Sequence, residues 1–531
     1  MSLFPILSLS VILAGAAIVG LLAWFRPRFA PVSSGIVLGL ALLLWLIAGQ
    51  NLPLGKLPDD GASMAVAMSP YLHVDAIGWQ LSFYLLLLMM AVVVGSLSHF
   101  DKLQLVRTQT IRQKALFPAI LLVCAAALLT LWTASLAGLI TTWVILSFAW
   151  LVLLWAISEE RVGAGTLLTR GGAMLLGVLF LWLAAGVSGV QGGRQLISSG
   201  WSSGALVLLL LAAMGPLGAL PLQWWRPLAW SLPIETGALV HLAPVVAGGS
   251  LLARISGPAG GHDAGFLAIA TSFGVLGLLV GVTISWMYVA SPGRSLSGLA
   301  LAQAGIVVLA GAWAGTAGAL SATRVLLLAI SALFLAARWA PRKLPWPAIV
   351  PLMALAGLPL TAGYASLVAV YDAWLTNGGA VLLVIGSLLL VFALAAGILA
   401  VRRKVPAAGL GDQPPVLMAR HYLALALPSL GLIALPDGEI ADVSLWTWIA
   451  VVVAVAGGLV LSGYEARLQD AQLAIRRALH LGFVGRRLQR LFANIGSALD
   501  LLVRELAAIL EGEGGMLWLL VFVVVIWLAR K

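Results

Sequence analysis

Long apolar runs separated by short polar segments dominate this chain. A membrane-spanning helix needs about 20 mostly apolar residues, and we count sixteen stretches of roughly that length. They lie at 3–24, 33–49, 75–98, 115–135, 137–157, 168–188, 204–222, 233–255, 265–289, 296–315, 322–338, 346–374, 379–401, 416–435, 445–463 and 514–530. The pattern therefore predicts an all-α polytopic membrane protein with about sixteen transmembrane helices.

Composition narrows the class further. Of the 531 residues, 62% are hydrophobic and only 9% are charged, whereas soluble proteins carry about 25% charged residues. A soluble enzyme, a disordered protein and a secreted disulfide-rich domain are thereby excluded. The single cysteine, Cys124, excludes an internal disulfide and a cysteine-cluster metal site. No catalytic motif, phosphate loop or metal-ligand pattern is present, so we predict no catalytic residue, metal or cofactor.

The charges alternate between loops. Basic residues follow the odd-numbered spans, as at Arg26 and Arg28, whereas loops after even-numbered spans are acidic or nearly neutral, as at Asp59. Positively charged loops face the cytoplasm, which places both termini outside in a bacterial-type inner membrane. The net charge of +11 is then loop charge, and we expect lipid and other membrane subunits, not nucleic acid, as partners. Arg254 and Arg324 fall at outer span ends, where we expect them to extend towards water.

Residues 464–513 break the spanning pattern. Apolar residues recur there at steps of three and four, as in Leu488, Leu491 and Ile495, between several arginines. This is one apolar face of an amphipathic helix, which we expect on the cytoplasmic side. Such a helix binds anionic lipid or braces neighbouring helices. The span at 514–530 follows it, and this favours the bracing role.

Two spans carry matched prolines. Span seven contains Pro216 and Pro221, and span twelve contains Pro351 and Pro359. The two spans share a small residue followed by Leu-Pro-Leu, at Ala219–Leu222 and Gly357–Leu360. Because proline removes a helical hydrogen bond, matched prolines indicate matched helix breaks. The breaks lie five spans apart, and an odd number means two five-helix repeats of inverted topology.

The chain is thereby divided into six segments. These are helices one to three (1–110), the first repeat with helices four to eight (111–260), the inverted second repeat with helices nine to thirteen (261–404), helices fourteen and fifteen (405–463), the lateral helix (464–513) and the final span (514–531).

These features, with three local motifs, resemble the antiporter-like membrane subunits of respiratory complex I. Their relatives are found in membrane-bound hydrogenases, multisubunit cation/proton antiporters and some inorganic-carbon transport systems. The motifs are GALVHLAPVVAGGSLLAR at 237–254, SLSGLALAQAGIVVLAG at 295–311 and AGLPLTAGYAS at 356–366. The resemblance covers about residues 75–463 and the lateral helix. It implies proton or cation translocation beside a redox or hydrolytic partner, with quinone and electron transport in the complex-I-type assemblies.

The family moves protons with charges in the middle of the membrane, and this chain departs from that pattern. Where the resemblance places the charges of helices five, seven and twelve stand Val144, Pro216 and Leu367. Of the family positions only His241 in span eight keeps an ionisable group. Missing charges remove both proton stations and the polarity that wets a path. We therefore expect a degenerate, structural subunit of a complex-I-like or related redox assembly.

Two alternatives stay open. One is an active translocating subunit whose proton path uses the remaining polar residues His241, Glu235, Gln303, Tyr364 and Asp372. Against it, His241 also fits a hydrogen-bonded core residue, Glu235 an acid at a helix N-terminus, and Asp372 an interfacial residue. The other alternative is a membrane anchor for an inorganic-carbon or other transport complex. Neighbouring membrane subunits are the expected partners in all three cases.

Overall fold

The computed structural model describes most of the chain up to residue 464. The described residues are 3–49, 66–67, 73–103, 111–133, 135–157, 164–188, 201–223, 234–257, 262–289, 291–338, 346–377, 379–402, 415–433 and 444–464. The predicted lateral helix, beyond its first residue, and the predicted final span at 514–530 lie outside them. Within the described residues, eleven helical segments are long and apolar enough to cross a membrane. The predicted all-α polytopic class is confirmed, and the chain is a multi-pass membrane protein.

Helices account for almost all of the described structure. They are α1 Leu3–Phe25, α2 Ala30–Gly49, α3 Ala76–Leu103, α4 Ile111–Leu131, α5 Leu136–Ile157, α6 Ala164–Val187, α7 Ser203–Leu217, α8 Ile234–Leu242, α9 Val245–Ser256, α10 Ala264–Met287, α11 Pro292–Trp313, α12 Gly315–Arg338, α13 Trp346–Leu355, α14 Ala362–Thr376, α15 Ala380–Arg402, α16 Pro415–Leu432 and α17 Leu445–Gly463. Two two-residue strands, β1 Val66–Ala67 and β2 His73–Val74, form an antiparallel pair before α3.

Polar residues just before the apolar runs define several helix starts. The side chains of Ser202, Asp263 and Ser444 accept hydrogen bonds from backbone amides in the first turns of α7, α10 and α17. These bonds satisfy amide groups that have no partner within the helix. The span boundaries therefore depend on local capping as well as on hydropathy.

The two predicted breaks end in the same backbone motif. Gly218 after α7 and Gly357 after α13 both have positive φ, 61° and 70°. The amide of each glycine donates to the carbonyl three residues back, at 2.9 and 3.1 Å, and the next amide donates to the carbonyl five residues back, at 3.0 Å in both. This is a Schellman-type helix end, which favours glycine because it lacks a Cβ.

The structure changes two details of the sequence prediction. The shared motif aligns Gly218 with Gly357, so the match of Ala219 with Gly357 is one residue out of register. Span eight, predicted as one helix, is divided into α8 and α9 by a turn at Ala243 and Pro244. Proline cannot donate the next helical hydrogen bond, which explains the interruption.

Helix α12 lies in the centre of the bundle. It contacts α3, α8, α9, α11 and α13 to α16, and its residues from Val325 to Ala337 are all buried. Its start adjoins the end of α9, since the Thr316 amide donates to the Gly257 carbonyl at 3.0 Å. Helices α3 and α12 begin at the same side of the bundle as that at which α4 and α9 terminate. We call this side the Arg254 end.

Candidate functional site

His241 is buried between three helices. It is 0% exposed and lies one residue before the end of α8. Its Nε2 atom is 3.3 Å from the hydroxyl oxygen of Ser297 on α11. Its ring stacks on Phe334 of α12, with centroids 5.8 Å apart. These contacts suit a packed core residue, and the Ser297 hydroxyl also allows the histidine to exchange a hydrogen bond.

Two further residues of the predicted proton path, Glu235 and Gln303, lie on α8 and α11. Gln303 is 3% exposed and follows Ser297 on α11 by six residues, about 9 Å along the helix axis. Glu235 is the second residue of α8, and its side chain lies outside the described part of the chain. Gln303 thus lies on the same helix as the hydroxyl group beside His241.

Tyr364 and Asp372 both lie on α14. The Tyr364 ring packs beside Trp448 of α17, with centroids 5.7 Å apart. Its hydroxyl is buried and has no hydrogen-bond partner among the described residues. Asp372 follows two turns later and is half-buried. The five candidate residues therefore lie on three helices, α8, α11 and α14. Tyr364 packs against a fourth helix, α17, which carries none of the candidates.

Apolar side chains occupy the three positions at which the resemblance predicts charges. Val144 is half-buried on α5, and Pro216 is buried next to the last residue of α7. Leu367 of α14 is 5% exposed and packs so closely that a Cβ on Gly357 would lie 2.9 Å from its Cδ1 atom. These side chains leave no proton-binding group at the positions.

A buried ion pair stands at the Arg254 end. Arg254 of α9 donates from Nε and Nη2 to the two carboxylate oxygens of Asp75, each at 3.0 Å. It also donates to the Ser250 hydroxyl at 2.6 Å and to the Leu131 carbonyl, the last of α4, at 2.7 Å. Asp75 in turn accepts from the Gly78 amide of α3 at 2.6 Å. One arginine thereby joins the start of α3 and the ends of α4 and α9.

Stacked tryptophans reinforce this corner. The Trp45 ring of α2 stacks on Trp79 of α3 at 4.2 Å and on Trp132, just after α4, at 5.5 Å between centroids. The Trp132 indole N–H donates to the Ser82 hydroxyl at 3.0 Å. Trp79 follows Asp75 by one helical turn. The corner is consequently a rigid joint between α2, α3, α4 and α9.

A second arginine lies deeper in the bundle. Arg324 follows the start of α12 by nine residues, about 14 Å along the axis. It donates to the carbonyls of Gly431 and Ile433 at the end of α16, at 2.6 and 2.9 Å. Its guanidinium lies 4.8 Å from the ring centroid of Tyr84 on α3. The negative end of the α16 dipole and the aromatic face therefore stabilise this cation.

The interruption between α13 and α14 borders the same arginine. Ile433 pairs with Thr361, the residue before α14, in an isolated antiparallel bridge. The Ser321 hydroxyl, one turn before Arg324, donates to the carbonyl of Ala362, the first residue of α14. A fixed positive charge and the N-terminus of α14 consequently share one region inside the second predicted repeat.

Two titratable groups lie outside the spans at the start of α10. A hydrogen bond from the Ser203 side chain, with a second from the Phe266 amide, lowers the pKa of Asp263. Burial lowers the pKa of the neighbouring His262. Both shifts favour an ionised carboxylate beside a neutral imidazole near neutral pH, so this loop supports a helix cap and adds no cation.

Comparison with solved structures reveals the fold. A chain of the Mrp complex from Dietzia sp. DQ12-45-1b matches with a TM-score of 0.68 and 18% identity over 99% of this chain and 62% of that chain. A chain of the membrane-bound sulfane sulfur reductase, an archaeal respiratory membrane complex, matches with a TM-score of 0.64 and 18% identity over 98% of this chain and 100% of that chain. The chain shares the fold of these membrane subunits.

Respiratory complex I from Thermus thermophilus, solved with bound aureothin, contributes a third match. Its TM-score is 0.52 and the identity 21%, over 86% of this chain and 96% of that chain. The chain thus spans about three fifths of the Mrp chain and nearly all of the other two. No family model and no curated protein matches the sequence. The predicted resemblance to antiporter-like subunits is confirmed at the level of the fold.

Sequence reasoning missed the two arginine sites. The expectation that Arg254 extends towards water is wrong, because the Arg254 side chain is 2% exposed and paired with Asp75. Arg324, expected at a span end, binds carbonyls about 14 Å into α12. A signal for the first site was available, since Asp75 directly precedes an apolar run in the position of a helix cap. Nothing in the sequence pairs it with a residue 179 positions away.

Proposed function

We propose that this chain is a structural, non-pumping subunit of a multisubunit membrane complex. The observation that carries the proposal is the chemistry of its interior. Val144, Pro216 and Leu367 stand where the resembling family has protonable charges. The charge that does lie beside a helix interruption, Arg324, is a guanidinium, which offers hydrogen-bond donors and no acceptor.

A proton path needs groups that both bind and release protons, linked by water or hydrogen bonds. His241 lies beside the Ser297 hydroxyl and the Phe334 ring. A single histidine passes a proton only where donors and acceptors continue on both sides. The apolar residues at the three lost positions interrupt that continuity.

Arg324 adds an electrostatic argument. The positive end of the α14 dipole lies in the same region as the guanidinium. Fixed positive charge beside a helix N-terminus raises the energy of any cation that approaches, as in pores that exclude protons. This arrangement disfavours proton or cation passage through the second predicted repeat.

Two further findings support the structural role: the helix contacts at the Arg254 end and the comparisons with solved structures. A joint of four helices fixed by an ion pair and stacked tryptophans suits a subunit that holds geometry. The matched chains belong to multisubunit membrane assemblies, so we propose other membrane subunits as partners. A redox partner is our preferred class, with the positively charged loops facing the cytoplasm and the Arg254 end facing outside.

A specific observation favours one second candidate, an active translocator. His241 has the Ser297 hydroxyl beside it, Gln303 is buried on the same helix, and the buried Tyr364 hydroxyl lacks a described partner. Water molecules bridging these groups would form a rerouted path. The two candidates differ in whether His241 must titrate.

Proton flux into liposomes separates the candidates. The full-length chain, alone and within its purified complex, is reconstituted with an internal pH dye, beside a His241→Ala variant and a matched His262→Ala variant in the loop before α10. We expect the isolated chain to give the flux of protein-free liposomes, and the complex to give equal flux with all three versions. Flux that His241→Ala abolishes and His262→Ala preserves would overturn the structural role.

A further inference from the structure

Cations and aromatic rings gather where α1 ends. Trp24 and Phe25 complete the helix and are 58% and 76% exposed. Arg26 and Arg28 follow at once in a tight turn, in which the Phe29 amide donates to the Arg26 carbonyl at 3.0 Å. Both arginines are exposed. The turn therefore holds two cations directly beside two aromatic side chains.

Helix α4 brings a third cation to this place. The ammonium of Lys114 lies 4.8 Å from the centroid of the Trp24 ring, a cation–π distance. Helices α1 and α4 also pack together about one turn away from this contact, since a Cβ on Gly20 would lie 3.8 Å from Cγ of Pro118. We call Trp24, Arg26, Arg28 and Lys114 the basic face. Among the described residues at this end of α1, α2 and α4, every charged side chain is basic.

The basic face continues into an apolar surface along α1. Leu7, Ile18 and Leu21 are 46%, 56% and 62% exposed, and α1 carries no charged residue over its length. In a membrane protein such side chains contact acyl chains. One surface thus presents hydrocarbon contacts, then aromatic rings, then cations, in the order of the layers of one bilayer leaflet.

We propose that the basic face binds the phosphate of an anionic phospholipid. Aromatic rings favour the level of the headgroups, and clustered Lys and Arg residues attract anionic lipid. The Lys114–Trp24 contact holds one cation in place from a second helix, so the face is a site built by two helices. The apolar surface beneath it accommodates the acyl chains, which a free phosphate ion lacks.

Native mass spectrometry of the detergent-purified full-length chain tests this proposal. The protein is titrated with cardiolipin, phosphatidylglycerol and phosphatidylcholine at low ionic strength. We expect the two anionic lipids to bind in preference to phosphatidylcholine. Removing three charges with R26Q, R28Q and K114Q should weaken anionic binding by about fivefold per charge and leave phosphatidylcholine unaffected.

A matched variant removes two charges at the same end of the bundle. Arg294 lies 5.1 Å from the Tyr288 ring centroid at the start of α11, and Arg402 ends α15. R294Q with R402Q should leave the affinity within twofold. W24A keeps all charges and should weaken binding less than the triple variant. Thermal unfolding of each variant establishes that it is folded before it is titrated.

Three results would overturn the proposal. The first is equal anionic-lipid affinity in the wild type and the folded triple variant. The second is displacement of bound lipid by millimolar inorganic phosphate, which would mean a free-anion site. The third is an intact complex in which another subunit covers Arg26 and Lys114 and no lipid phosphorus is retained by that surface.

Discussion

The two helix interruptions have the same backbone geometry and differ in the residues that surround them. After α7 and after α13, a glycine with positive φ makes the same pair of hydrogen bonds. The first helix end is closely packed by small residues, since a Cβ on Gly215 would lie 3.3 Å from the Cα atom of Gly177. The second borders Arg324 and the end of α16. The first helix break is therefore described by its packing, whereas the second also borders a positive charge.

The two arginines that bind inside the bundle, Arg254 and Arg324, are stabilised by different partners. Arg254 has a carboxylate, Asp75, and is 2% exposed. Arg324 is half-buried and relies on two backbone carbonyls and the Tyr84 ring. A buried charge that loses its partner is far more costly than a partly hydrated one. The Arg254–Asp75 pair should consequently be more sensitive than the Arg324 site to the loss of one charge.

The largest effect should follow from Asp75→Ala. It leaves the Arg254 guanidinium buried without its counterion, which costs about 3–5 kcal/mol, and removes a cap of α3. We expect a large fall in the thermal midpoint of the detergent-purified protein, measured by intrinsic fluorescence.

The matched control for Asp75→Ala is Asp263→Ala. Asp263 caps α10 by accepting from the Phe266 amide at 3.0 Å and is exposed, so its loss removes only a helix cap and should lower the thermal midpoint far less. Asp75→Ala combined with Arg254→Met should recover much of the stability. Equal losses from the two single variants would show that the ion pair contributes nothing beyond a cap.

The second-largest effect concerns the close contact between α13 and α14 at the second interruption. The Cα of Gly363 on α14 contacts the Ala354 carbonyl of α13 so closely that no Cβ fits between them. Gly363→Ala must push the half-helices apart, at about 3 kcal/mol. A Cβ added to Gly186 of α6 would have no other atom within 4 Å, so Gly186→Ala should be neutral or slightly stabilising. A thermal midpoint for Gly363→Ala equal to that for Gly186→Ala would contradict this packing.

Hydropathy predicted the helices better than it predicted their ends or partners. Apolar length is a local property, and it located most described helices to within about five residues, although α12 begins at Gly315, seven residues before the predicted start at 322. The break at Pro244 was missed because the flanking residues are as apolar as those of an unbroken span. The Asp75–Arg254 pair was missed because it depends on tertiary contact between distant segments. The interruptions were predicted from proline, yet glycine geometry sets their register.

The smallest effect tests that register. Gly218→Ala and Gly357→Ala each place a Cβ on a residue with positive φ, which costs about 1 kcal/mol. Gly357→Ala should cost about twice as much, because its Cβ would lie 2.9 Å from Leu367 Cδ1. Adding Leu367→Ala removes the Cδ1 contact and keeps the Cβ contact at 3.1 Å, so the effect of Gly357→Ala measured in that background should fall towards that of Gly218→Ala. If Ala219, and not Gly218, were the true counterpart of Gly357, Gly218→Ala would leave the thermal midpoint unchanged.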